Sequence, residues 1–181
     1  MSRRLVRRVV GQGLAAGAIG VAVMTVGEKV EQRFTRRPDS YVPARVLERL
    51  VGADEQTGAR STATNWAMHH GQAALLGVVR STMAHAGLRG PLASAKFTVL
   101  RLTTDQVLEN ATGVGAPPQT WPRSELVLDV VHKAVYAFTT GLVADALAAK
   151  DGPGPGQRHA AAVPGRHADV GPVPRGSASG R

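Results

Sequence analysis

The sequence predicts an all-α protein: a four-helix membrane bundle built as two helical hairpins, with a short amphipathic helix in the first loop and a disordered C-terminal tail. Three observations carry that expectation. Val9 to Gly27 is nineteen residues without a charge, a helix of about 30 Å, which matches the hydrocarbon core of a bilayer. Stretches near 66–85, 92–112 and 125–149 are apolar or helical in period, and Gly/Pro segments separate them. The alternating, aromatic-rich runs that strands prefer are missing, because Ala and Gly dominate the oily segments.

Length and composition narrow the class further. The 181 residues suit one helical domain over 1–150 and a tail over 151–181. The absence of Cys excludes a disulfide scaffold, a Cys-based zinc module and a Cys nucleophile. The formal charge is +9, and eighteen of the 22 basic residues are Arg. That bias is common in GC-rich coding and is weak evidence for nucleic acid. A nucleic-acid surface needs basic residues clustered on one face with interleaved aromatics, and no such cluster is present. No nucleic-acid partner is expected.

The first helix, about 9–27, carries Gly13 and Gly17 in small-xxx-small spacing, with Gly20 continuing that face. Such a stripe lets a neighbouring helix approach closely in lipid. A Gly/Ala-rich composition also produces the pattern by chance. Ser2-Arg3-Arg4-Leu5-Val6 loosely resembles a twin-arginine export signal, but the oily run is long for a signal and no Ala-x-Ala cleavage site precedes Glu28. Retention as a membrane helix is the expectation. Arg3, Arg4, Arg7 and Arg8 then place the N-terminus on the cytoplasmic side of a bacterial inner membrane.

Pro43 to Val51 reads as the short amphipathic helix, with Val46, Leu47, Leu50 and Val51 on its apolar face and Glu48 on a solvated one. The second long helix, 66–85, starts at Trp66, suited to a membrane interface, and holds Arg80, expected to snorkel at the other end. It ranks as the second-best spanning segment. Gly87 and Gly90-Pro91 make a turn into the third helix, 92–112, which carries Lys96, Arg101, Asp105 and Glu109. Prolines exclude helix from the 113–122 connector, and Ser124 is the expected N-cap of the fourth helix, 125–149. Hydropathy alone makes the third and fourth helices poor spans, since each charge at mid-bilayer costs about 2.5–3.5 kcal/mol.

From Asp151 onward, twelve of 31 residues are Gly or Pro, with no periodicity. Disorder is expected there. An even number of helices returns this tail to the cytoplasm, where its Arg residues and those of the N-terminus favour anionic lipid headgroups.

Asp105, the run Gly113-Val-Gly-Ala-Pro-Pro-Gln-Thr-Trp121-Pro122, and Asp129-Val-Val-His132 with Tyr136 and Gly141 resemble small bacterial predicted integral membrane proteins of the YagU-like inner-membrane group. Gly13-Leu-Ala-Ala-Gly17, Met24-Thr25, Glu28, and His70 ahead of Gly77 are similar to that group as well. The resemblance spans most of residues 11–148 and is diffuse. It implies a four-helix membrane protein. Lys96, Arg101 and Lys133 depart from the neutral residues it leads one to expect.

Chemistry-bearing residues share faces by spacing. Asp105 and Glu109 lie four apart, while Asp129, His132 and Tyr136 follow i, i+3, i+7. His69 and His70 open the second helix, and Glu28 ends the first. The expected polar or ligand-binding cluster is Asp105, Glu109, Asp129, His132, Tyr136 and His70. Asp129-x-x-His132 has the spacing of carboxylate-bridged metal bundles, but no second acid-x-x-His pair completes such a set. Other readings remain. Arg101–Asp105 and Asp129–Lys133 neutralise each other on a wet face, and Tyr136 is an interfacial ring with its hydroxyl in water. By its bundle-facing position, His132 is expected to matter more than Lys133.

No nucleophile elbow, P-loop, dinucleotide fingerprint or HExxH occurs. No catalytic residue, metal ligand or cofactor is assigned. The expected role is structural, accessory or small-ligand-binding, with the lipid bilayer and a membrane-protein partner or second copy as partners. The alternatives are a peripheral or soluble bundle anchored by its first helix, and a metal-dependent membrane enzyme.

Overall fold

Four long helices and two short ones follow from where glycine and proline interrupt the chain. The computed structural model describes residues 3–163 and 170–171. The elements are α1 (Arg3–Thr35), α2 (Val42–Val51), α3 (Gly58–Ala86), α4 (Pro91–Ala111), a 3₁₀ turn (Pro118–Thr120), α5 (Arg123–Ala149) and α6 (Pro155–Ala162). No strand occurs among the described residues.

Every long helix outruns its oily stretch. Arg, Lys, Glu and Gln are strong helix formers, so α1 keeps its hydrogen bonds through both charged flanks for 33 residues. Pro38 stops it, with Arg36 in the left-handed region at φ 59°. The turn between α3 and α4 closes on Gly87 at φ 102° and the Leu88 N–H donated to the Met83 carbonyl at 2.9 Å. Ser124 is not the cap of α5. The helix begins one residue earlier, behind Pro122, whose ring pre-sets the entry.

α1 packs along α3 and α5, α5 also packs on α3 and α4, and α2 lies against α3. Glycine sets the α1–α3 distance: a methyl on Gly77 would meet the Cα of Gly17 at 2.7 Å, and one on Gly13 would meet the backbone N of Val78 at 2.8 Å. Gly20 faces α5 instead, against Thr140 and the Tyr136 carbonyl. Small residues fill the seams. One apolar cluster joins Val21, Met24, Ala73, Phe97, Tyr136 and Ala137, and a second joins Ala16, Ala84, Ala144 and Ala148.

The large apolar side chains point the other way. Leu75, Val99, Val127 and Leu142 are each 60 to 72% exposed, whereas Arg80 is fully buried and Arg101, Asp105 and Lys133 are at most 8% exposed. Two helices, α1 and α5, are long and apolar enough to cross a membrane by length and composition. That reorders the sequence expectation. α5 takes the place given to the second long helix, because α3 interrupts its apolar residues with His69, His70, Gln72 and Arg80.

Two surface expectations are also corrected. The buried face of α2 is Ala44, Val46 and Glu48, while Leu50 and Val51 are exposed. Glu48 is covered because the chain folds back after Gly52 and donates the Gln56 N–H to its carboxylate at 3.3 Å. The tail is ordered over α6. Gln157 is fully buried there, its Oε1 accepting the Gly154 N–H at 3.0 Å and its Nε2 donating to the Gly171 carbonyl at 3.0 Å. Backbone-to-backbone proximity at Gly87 and Gly154 lets this segment dock without apolar side chains of its own. Residues 164–169 and 172–181, where disorder was also expected, lie outside the described residues.

Candidate functional site

Near the C-terminal end of α1 the four long helices, α2 and two loops line a half-open charged chamber of ≈ 410 Å³. α1 supplies Thr25 and Glu28, α3 supplies His69, His70 and Gln72, and α4 supplies Arg101, Asp105 and Glu109. Asp129, His132 and Lys133 come from α5. The α1–α2 loop brings Arg37 and Asp39, and the connector brings Gly115 and Trp121.

Asp105 is the hub. Its carboxylate accepts Gln72 Nε2 at 2.9 Å and pairs with Arg101 Nε and Lys133 Nζ, each at 3.1 Å. Lys133 also bridges to Asp129 at 2.7 Å. Beneath this network the Arg101 guanidinium lies 5.3 Å over the Tyr136 ring. Tyr136 is fully buried, and its hydroxyl donates to the Ala73 carbonyl at 2.6 Å. At the wall, His132 Nδ1 is 3.9 Å from Glu28, and His69 Nε2 is 3.3 Å from Thr25 Oγ1. His70 stacks on Trp66 with ring centroids 4.7 Å apart. At the rim, Lys29 pairs with Asp39 and Arg37 with Glu31. The Lys29 hydrogen bond is the main cause that holds the Asp39 carboxyl below the usual carboxylate range.

The sequence cluster of Asp105, Glu109, Asp129, His132 and His70 converges on this chamber. Tyr136 sits beneath it in the core and is not interfacial, because the small residues of α3 let its hydroxyl reach an α3 carbonyl. The wet-face reading of the i, i+4 pairs fails for the same reason of placement. Both pairs are cross-linked through Lys133 and Asp105, which belong to different helices and are buried against each other. Lys133 therefore faces the bundle as much as His132 does. Gly13, Gly17 and Gly20 lie on the two seams of α1, away from the chamber.

Sequence reasoning passed over Gln72, although its i+3 spacing from His69 places it on the same helical face. Arg37 and Asp39 carried no signal, since only the loop's return brings them to the rim. A second charged layer, at the opposite end of the bundle, was also missed. Arg80 does not snorkel. It is fully buried, pairs with Asp145 at 2.9 Å and donates to Ser94 Oγ at 3.4 Å. Asp145 also accepts the Gly90 N–H at 2.8 Å, placing a carboxylate at the α4 N-terminus. Gly141 makes this fit, because a methyl there would lie 3.1 Å from Arg80 Nη2. A single Arg in the apolar half of α3 and a single Asp in the apolar half of α5 were the available signal.

Among the described residues, no group of three or more His, Asp or Glu side chains is placed to hold a metal ion. No family model, curated protein or solved structure matches the chain.

Proposed function

We propose that this chain is an integral membrane protein whose helical bundle, two hairpins α1/α3 and α4/α5, holds a small-ligand chamber at one end. The observation that carries this reading is inverted polarity. Leu14, Leu75, Val99 and Leu142, one from each long helix, are exposed, whereas Arg80, Arg101, Asp105, His132 and Lys133 are buried and lie against oppositely charged groups. In water the opposite arrangement buries more apolar area. In hydrocarbon an ionisable group must face its partners or a water-filled cavity, and small residues must provide the helix contacts. The resemblance to the YagU-like inner-membrane group agrees with this reading, and the role is structural, accessory or ligand-binding rather than catalytic.

The four arginines before Val9 favour a cytoplasmic N-terminus, so the chamber, at the far end of α1, opens on the opposite face. Because the chain has no native Cys, single cysteines test both points directly. At Ser40 and Gln119 they should react with an impermeant maleimide from the outer side of intact cells or spheroplasts. At Lys150 the reaction should require permeabilisation. The full chain should also resist alkaline carbonate extraction. Release into the aqueous phase would leave the second reading, a bundle held to the membrane by its first helix alone. That reading is favoured by the finding that, among the described residues, α3 and α4 are not apolar enough to span.

A further inference from the structure

We infer that the chamber binds a small organic ammonium ion. The inference rests on the reading of the chamber as a ligand site and deepens it. Charge balance is the first observation. The lining holds four Lys or Arg side chains, Lys29, Arg37, Arg101 and Lys133, against six carboxylates. Every one of those four cations already has a carboxylate partner, in Asp39, Glu31, Asp105 and Asp129. Glu28, Glu109 and Glu125 have no Lys or Arg partner among the described residues. In a chain of formal charge +9, a half-open cavity with surplus carboxylate is the reverse of the bulk, and it selects a cation.

The second observation is aromatic. The chain has two tryptophans, and both line the chamber: Trp66, with His70 stacked on one of its faces, and Trp121. Indole faces beside a carboxylate are the usual means of recognising alkylammonium groups, which bind weakly to carboxylate alone in water. The third observation is size: the ≈ 410 Å³ of space suits a small molecule. A bare divalent ion fits less well, since no three carboxylate or imidazole groups are placed around one point.

The two tryptophans make occupancy directly readable. Full-length protein in detergent micelles or nanodiscs is titrated with choline chloride at constant ionic strength, and indole emission is followed. A saturable change is expected, weakened by about tenfold or more in Glu28→Gln and in Glu109→Gln, and unaltered in Asp54→Asn, an exposed acid outside the chamber. Both Gln variants are isosteric, and circular dichroism verifies their fold. Four results overturn the inference: no saturable change with choline, wild-type affinity in both Gln variants, saturation by sodium acetate, or saturation by calcium chloride alone. Failure of the membrane reading is scored separately. A chain that needs no detergent and still binds choline sinks that reading and keeps this one.

Discussion

The bundle has two charged layers, and they are built for different ends. In the layer of Arg80 and Asp145, the two charges pair with each other, although Arg80 Nε is left without a hydrogen-bond partner among the described residues. Arg80 reaches Asp145, Ser94 and the Leu88 carbonyl, and Asp145 also holds the Gly90 N–H at the start of α4. Gly141 leaves room for the guanidinium, since a methyl there would lie 3.1 Å from Arg80 Nη2. In the layer of Asp105 and Lys133, the charges surround open space and carboxylate is left over. A buried ion pair by itself is thus a fastening. A buried network with a surplus of one sign beside a cavity is what carries the proposed ligand site.

Mutation should separate the two layers. The largest effect belongs to the sealed one: Asp145→Asn leaves the Arg80 guanidinium buried without its counter-charge and should cost about 3–5 kcal/mol, measured by denaturant unfolding in micelles. A cost below that of an ordinary surface change would mean the pair is no fastening. In the open layer, Lys133→Leu should cost about 1–3 kcal/mol, because Asp105 keeps Arg101 and Gln72 while Asp129 loses the one cation paired with it among the described residues. His132→Leu should cost less, reversing the ranking drawn from helical spacing alone. A larger loss for His132→Leu than for Lys133→Leu would restore that ranking.

Glu109→Gln should change stability by less than about 0.5 kcal/mol, since no partner is lost. If it destabilises as Asp145→Asn does, the two layers are alike and the distinction fails. The smallest effect is at the rim. Lys29 lowers the Asp39 carboxyl in the folded state, so its contribution is complete above the unfolded aspartate's range. That contribution disappears as pH falls through the lowered value. Asp39 is half exposed, so Asn there should flatten only the acid limb of the stability profile, slightly, and leave neutral pH unchanged.

Much of the chamber was legible because helical spacing is local. Asp105 with Glu109, and Asp129 with His132, are set on their faces by 3.6-residue periodicity, whatever the helices pack against. What spacing could not decide was which face turned inward. Lys133 and His132 are neighbours on α5, and only the arrival of Asp105 from α4 shows that both are enclosed. Hydropathy also marked the oily core of α1 but misjudged helix ends, since charged residues such as Arg3 and Glu31 propagate a helix as well as Leu does. Glu48 and Gln157 look like solvent-facing residues in sequence. Each is buried because a loop folds back and uses its side chain as a backbone partner.

The amino-acid order alone determined that the chain is helical, where glycine and proline break it, and that its charges recur on shared faces. These are matters of neighbours three or four residues apart, fixed by backbone geometry and propensity. Tertiary structure decided which charges meet, that Arg80 is sealed while Glu109 is left unspent, and that two tryptophans 55 positions apart line one space. The reason is physical: pairing across helices depends on how closely backbones approach, and that distance is set by glycines such as Gly17, Gly77 and Gly141, which carry no charge to announce it.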